Sequence, residues 1–427
     1  SNSLIGSTAN DEIGKPSYVS ILENGNYIVV SPYWDNGSKV DAGAVTWGNS
    51  ATGVSGVISA SNSLVGNTAY DRIGSGGASS LFNGNYVVAS PRWDSGSRVD
   101  VGAATWINGA IGLTGYINQN NSLIGDIAGC QVATMISSLY NGNYVVSSVQ
   151  WTDTVSKTKG AVTWGNGATG TFGKVSISNS MIGKTHEDWV GYRILPLLNG
   201  NYVIGSPYWD TGSILNVGAA TWCSGNGPTS GTVSAANSLI GSTTDDFVSL
   251  NMQSLYGGNY LINCTTCDYN ALAEVGAVTW ANGTTGTIGK IDSNNSIIGT
   301  HMGDALGDRG ILPLTSGNYV ILSNYWDRDS LSNASAATWG NSSNGTHGNV
   351  NITNSMVGSN SNPNTSINIW GRVLNTGDYL LGHYSWKKDS MVNVSAVAWQ
   401  NKMTGGSGVY HSGNSLVGSH ANDNLGT

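Results

Sequence analysis

Tryptophan and aspartate recur as close pairs along this chain: Trp34-Asp35, Trp93-Asp94, Trp151 with Asp153, Trp209-Asp210 and Trp326-Asp327, with Trp386 in a further copy and Asp268-Tyr269 standing in another. Each lies in a stretch rich in Gly, Ser and Asn. An aromatic face stacks on a pyranose ring while a carboxylate accepts hydrogen bonds from its hydroxyls, so such a pair has the makings of a sugar site. Several shallow copies would gain avidity from their number. The competing reading has these rings plug gaps between neighbouring structural units.

Other chemistry is sparse. The histidines His186, His301, His347, His383, His411 and His420 form no HExxH pair, and no unique set of residues converges on a mechanism, so no catalytic residue is expected. Cys264 and Cys267 form a lone CxxC with neither a second ligand pair nor a βαβ context, which leaves a local disulfide or buried thiols. An aspartate recurs at Asp11, Asp71, Asp188, Asp246, Asp304 and Asp423, replaced by Cys130 and Pro363 in two copies. A carboxylate repeated this often reads as an acceptor that fixes a turn through backbone amides. Neither a metal nor a cofactor is expected.

What positions these residues is a repeat. The phrase NSLIG and its variants begin at Asn2, Asn62, Asn121, Asn179, Asn237, Asn295, Asn354 and Asn414, at intervals of 58 to 60 residues. Repeats are therefore drawn at about 2–61, 62–120, 121–178, 179–236, 237–294, 295–353 and 354–413 within a single domain 1–427, with 414–427 as ring closure or surplus strand. Such a period marks a propeller, solenoid or array.

Each repeat holds four short apolar runs. SYVSIL and NYIVVSP flank Asn24-Gly25, a dipeptide suited to a tight hairpin with positive φ angles. The run Tyr27 to Val30 is continuously apolar, as for a strand covered on both faces. A third run ends in Trp47, matched by Trp106, Trp164, Trp222, Trp280, Trp339 and Trp399, which read as packing elements between blades. NSLIG supplies the fourth strand.

The order aspartate-x-apolar-glycine, apolar run, turn, NYVV, SPYWD and GAVTW resembles the FG-GAP repeat of integrin-α-type β-propellers. Ile13-Gly14 would stand for FG, Ser31-Pro32 for the end of GAP, and Ala42 to Trp47 for the last strand. A closer similarity is to repeats of unassigned function in large bacterial surface and secreted proteins, including filamentous-haemagglutinin-like ones, which read NGNYVVxSPxWDNG followed by VGAVTWGNG. That resemblance implies an extracellular, repeat-built bacterial protein. Where many FG-GAP units carry a DxDxDG calcium loop, this chain has Asn24-Gly25-Asn26, which lacks carboxylates, so no such metal site is expected.

Composition narrows the partners. Net charge is −8, and the 17 Lys and Arg form no basic patch, which argues against nucleic acid and anionic membrane. Neither a signal peptide nor a long apolar span is visible, as in a mature secreted chain or an excised region. The expectation is an all-β, seven-bladed β-propeller of four-stranded blades, with a β-solenoid as the alternative. The expected function is non-enzymatic, extracellular and structural or adhesive, with head-to-tail self-assembly through a surplus strand. The alternative is a lectin-like propeller for cell-surface glycans.

Overall fold

The computed structural model describes residues 3–15, 18–154, 157–361, 369–388, 391, 393–423 and 425. Among them the secondary structure is all β, and no helix is long and apolar enough to cross a membrane. Asn2, Pro363 and Asn424 lie outside the described residues. The chain divides into two compact units, one of Ser1–Trp209 with Cys223–Val233, the other of Asp210–Trp222 with Ser234–Thr427.

The first repeat shows how sequence becomes strand. Its elements are β1 (Leu4–Ile5), β2 (Val19–Ile21), β3 (Tyr27–Ser31), β4 (Ala44–Gly48) and β5 (Gly56–Val57), followed by β6 (Leu64–Val65) of the next NSLIG phrase. β2, β3 and β4 form an antiparallel meander with Ile21 opposite Tyr27 and Val30 opposite Val45. β6 continues it antiparallel to β4, and the strand Gly115–Tyr116 adds in parallel to β6. This NSLIG strand thus completes the meander of the repeat before it, whereas β1 pairs with β5. β3 is buried on both faces beyond Tyr27, as its unbroken apolar run requires.

The fifth strand departs from expectation. It is two residues long, Gly56–Val57, Gly173–Lys174 or Gly348–Asn349 in different copies, and leaves no apolar run to read. Within the first unit the pattern recurs as five-stranded sheets built on the meanders 78–107 and 135–165; within the second it recurs on 251–281 and 311–340. Two sheets are shorter. β1 pairs with β5 in a sheet of two, and the strands Ile369–Val373, Tyr379–His383, Ala396–Gln400 and Leu416–Val417 form a sheet of four.

The hairpin also differs in detail. The loop spans Leu22 to Asn26, with Gly25 N donating to Leu22 O at 2.9 Å and Leu22 N to Asn26 O at 2.8 Å. Only Gly25, at φ 84°, is left-handed, while Asn24 keeps negative φ and its Oδ1 accepts from Asn26 N. This is a type I turn closed by a glycine bulge rather than a two-residue turn with both φ positive.

Facing layers bury the core. Ile28, Val30, Val45 and Leu64 of one sheet join Tyr86, Val88, Val101 and Ile124 of the next in one apolar cluster. Leu261, Val278 and Ile297 join Tyr319, Ile321 and Val357 in the same way. Within a sheet the Tyr27 ring lies over Gly48, its cross-strand neighbour, where a Cβ would come within 2.2 Å of Tyr27 Cζ.

Candidate functional site

The loop that carries Trp34 and Asp35 is a closed box. It leaves β3 through a turn in which Trp34 N donates to Ser31 O, and it returns to β4 through Gly43 N, which donates to Trp34 O at 2.9 Å. Asp35 Oδ1 accepts from Asp41 N at 2.8 Å across the box. The same bond joins Asp94 to Asp100 N, Asp210 to Asn216 N and Asp327 to Asn333 N. These carboxylates hold their own loop. Asp153 differs, pairing instead with Lys159 at 2.7 Å.

The recurring aspartate fastens this box to the NSLIG turn. Asp11 accepts from Ser7 N, Thr8 N and Asp35 N at 2.6, 2.9 and 3.0 Å. Asp71 binds Asn67 N, Thr68 N and Asp94 N in the same arrangement, and Asp304 binds Thr300 N, His301 N and Asp327 N. Burial pushes the Asp71 carboxyl up to about 6 against the pull of those amides. For Asp11, burial also raises the carboxyl, but the Thr8 hydroxyl and the amides of Thr8, Asp35 and Ser7 outweigh it, so it titrates below the ordinary range.

The loop tryptophans point inward. Trp34, Trp93, Trp151, Trp209, Trp326 and Trp386 are between 3% and 6% exposed. Trp34 packs on Ala44, Ile58 and Val65, and Trp386 Nε1 donates to Tyr410 O at 3.0 Å. At that burial most of each ring's surface is spent on packing. In the fifth repeat Cys267 takes the tryptophan's place before Asp268 and is disulfide-bonded to Cys264, both buried.

The second set of tryptophans reaches from repeat to repeat. Trp47 Nε1 donates to Gly109 O, Trp106 to Gly167 O, Trp164 to Gly225 O, Trp222 to Gly283 O and Trp339 to Lys402 O, all within 2.9 to 3.2 Å. Most of these carbonyls also accept from an asparagine: Asn26 at Gly109, Asn85 at Gly167, Asn143 at Gly225 and Asn318 at Lys402. Sequence reading passed over these asparagines, although one precedes the strand tyrosine in every copy until Asp378. Trp280 Nε1 is buried without a hydrogen-bond partner among the described residues, and Trp399 is exposed.

A family model described as "Repeat of unknown function (DUF5650)" matches residues 1–15, 21–75, 80–134, 138–192, 196–250, 254–308, 313–367 and 373–427. The chain belongs to this repeat family. The 55-residue windows of the DUF5650 repeat open at the first strand of a meander and close just past the aspartate turn, so they follow the sheets rather than the NSLIG phase. No curated protein matches the chain.

Two further features of these DUF5650 repeats bear on binding. His301, Asp304 and Asp327 bring one ligand atom each within 4.8 Å of one another. The Asp304 oxygens, however, already accept three backbone amides, and Asp327 Oδ1 accepts Asn333 N. Beside the loops of the second and third repeats lie clefts of about 300 Å³, one lined by Trp93, Asp94, Arg98 and Lys174, the other by Asp126, Trp151 and Asp153.

Proposed function

We propose that this chain is a non-enzymatic structural or adhesive protein that works outside a bacterial cell, with its sheets stacked as the blades of a seven-bladed propeller and with the surplus NSLIG strand serving self-assembly. One observation carries this reading. The recurring aspartates and tryptophans serve fastening, with Asp35 and its counterparts closing their own loops, Asp11 and its counterparts tying loop to turn, and Trp47 and its counterparts tying one repeat to the next. A chain that invests its polar chemistry in its own continuity suits a scaffold.

The test is antibody labelling of intact producing cells, together with adhesion of beads coated with the purified chain. Labelling at the cell surface and retention of coated beads support the reading; labelling only after lysis overturns it. The clefts beside Asp94 and Asp153 favour glycan binding as a second reading. A glycan array probed with the purified chain tests that reading separately.

A further inference from the structure

Four interior NSLIG strands show what their environment should be. Leu64 with Val65, Leu123 with Ile124, Ile297 with Ile298 and Met356 with Val357 are at most 3% exposed. The second residue of the pair packs backward, as Val65 does on Trp34 and Ala44, and the first packs forward, as Leu64 does with Tyr86 and Val88. The first and last copies break this pattern in complementary ways. Ile5 is 46% exposed, because β1 has β5 beside it but no preceding meander in its sheet. Leu416 is 71% exposed, and its sheet ends at Leu416–Val417 with no fifth strand among the described residues.

The repeat-to-repeat bonds are complementary too. Each acceptor carbonyl lies three residues after the next ladder tryptophan, as Gly109 follows Trp106 and Lys402 follows Trp399. The residue in that place after Trp47 is Ser50, which is exposed. Trp399, the ladder's last donor, is 56% exposed. On the first meander Ile21 is 76% exposed, whereas the matching Ser80, Ser138 and Pro196 are half-buried.

The last sheet grips its own NSLIG strand poorly. Six other meanders bind it through a buried hydroxyl pair such as Thr46 with Ser63 or Thr338 with Ser355. Ala398 replaces that threonine, so among the described residues Ser415 keeps only the bond to Asn414 that the other serines also make to their own neighbouring asparagine. Asp423 accepts the amides of Ser419 and His420, and among the described residues it lacks the third amide, which the loop residues Asp35 and Asp94 give Asp11 and Asp71. Residues 2–14 and 414–426 are identical at nine of thirteen positions and so can occupy the same edge.

We propose that a second copy of this chain docks its β1–β5 ribbon on the strand Ala396–Gln400, displacing Leu416–Val417 and completing a five-stranded sheet. This deepens the scaffold reading above and rests on it. Ile5 of the second copy lands on Trp386 and Ala396 as Val65 does on Trp34 and Ala44, and Trp399 Nε1 meets the carbonyl of the second copy's Ser50. The donated surface and the accepting surface are different patches. Such a head-to-tail contact repeats without closing and builds a filament.

The test is the mass of the full-length purified chain by sedimentation velocity over a hundredfold concentration range, for wild type, Ile5→Asp, Trp399→Ala and Leu416→Asp. All three side chains are exposed in the single chain, so the variants fold, which far-UV circular dichroism checks. Wild type forms a ladder of oligomers, Ile5→Asp is monomeric, and Trp399→Ala needs at least tenfold more protein to assemble. Leu416→Asp assembles at least as readily as wild type, because its segment is the one displaced. A wild type that stays monomeric, as closure of the ribbon on its own chain would give, overturns the proposal. So does a Leu416→Asp variant that loses assembly, which would mean stacking without exchange. Cell-surface labelling and bead adhesion by a monomer would leave the scaffold reading standing while the second copy falls.

Discussion

The indole Nε1 of Trp164 donates to the carbonyl of Gly225 at 2.9 Å, a bond that spans 61 residues and joins one repeat to the next. Asn143 Nδ2 and Asn141 Nδ2 reach the same carbonyl at 2.9 and 2.8 Å, so a single backbone oxygen receives three side chains from the preceding repeat. Trp164→Phe keeps most of the ring and loses the bond. The expected loss is about 1 kcal/mol, read as a lower denaturant midpoint with unchanged slope.

The loop tryptophans give a larger effect. Trp93 belongs to the apolar cluster shared by the first two sheets. Trp93→Ala is expected to cost about 3–5 kcal/mol through lost burial and the cavity left behind. Thermal unfolding checks it, and an unchanged melting temperature would return the ring to the list of ligand contacts.

Asp71→Ala strands three backbone donors, those of Asn67, Thr68 and Asp94. The expected destabilisation is about 2–3 kcal/mol, and Asp71→Asn, which retains one acceptor oxygen, recovers part of it. Amide hydrogen exchange at these three residues should accelerate most.

The pH dependence follows from the buried carboxyls. Burial pushes Asp71 and Asp308 up to about 6 from the ordinary 3.8. Between those values the folded chain holds protons that the unfolded chain has released, so their contribution is present at low pH and is lost as pH rises through 6. Asp11 titrates below the ordinary range, and its contribution is lost only on further acidification. His383, whose imidazole burial holds below its ordinary 6.5, works the other way as pH falls through that value, so the carboxyl effect is read against a variant: Asp71→Asn with Asp308→Asn should lose less melting temperature than wild type between pH 5 and pH 7.5, as scanning calorimetry would show.

In the fifth repeat the disulfide of Cys264 and Cys267 stands where other repeats put a tryptophan. It closes so short a loop that chain entropy assigns it only about 2 kcal/mol. Cys264→Ser with Cys267→Ser should lower stability by that order, and exchange should rise first around Asp268 and Glu274, whose carboxylate-to-amide bond closes this box.

Much of the sheet architecture was legible because its signals are periodic. NSLIG, NGNY and GAVTW recur in register, and a continuous apolar run such as Tyr27 to Val30 has few homes other than a doubly covered strand. The fifth strand was illegible, since Gly173–Lys174 owes its pairing to backbone alone. The two readings of the loop tryptophans could not be separated in the sequence, because a Trp-Asp pair in a Gly-Ser loop looks the same whether the aspartate faces a ligand or its own backbone. The structure adds Asp35 Oδ1 receiving Asp41 N, a bond inside one loop that no spacing reveals. A pairing signal was present elsewhere and went unread, for the third residue of AVTW and the serine of NSLIG are Thr and Ser together in six sheets.

The ladder bonds reach only from one repeat to its immediate successor, Trp47 to Gly109 and Trp106 to Gly167, and they point the same way each time. Bonds that run only between neighbours let each junction loosen separately, so a strained array can open at one seam while the seams on either side hold.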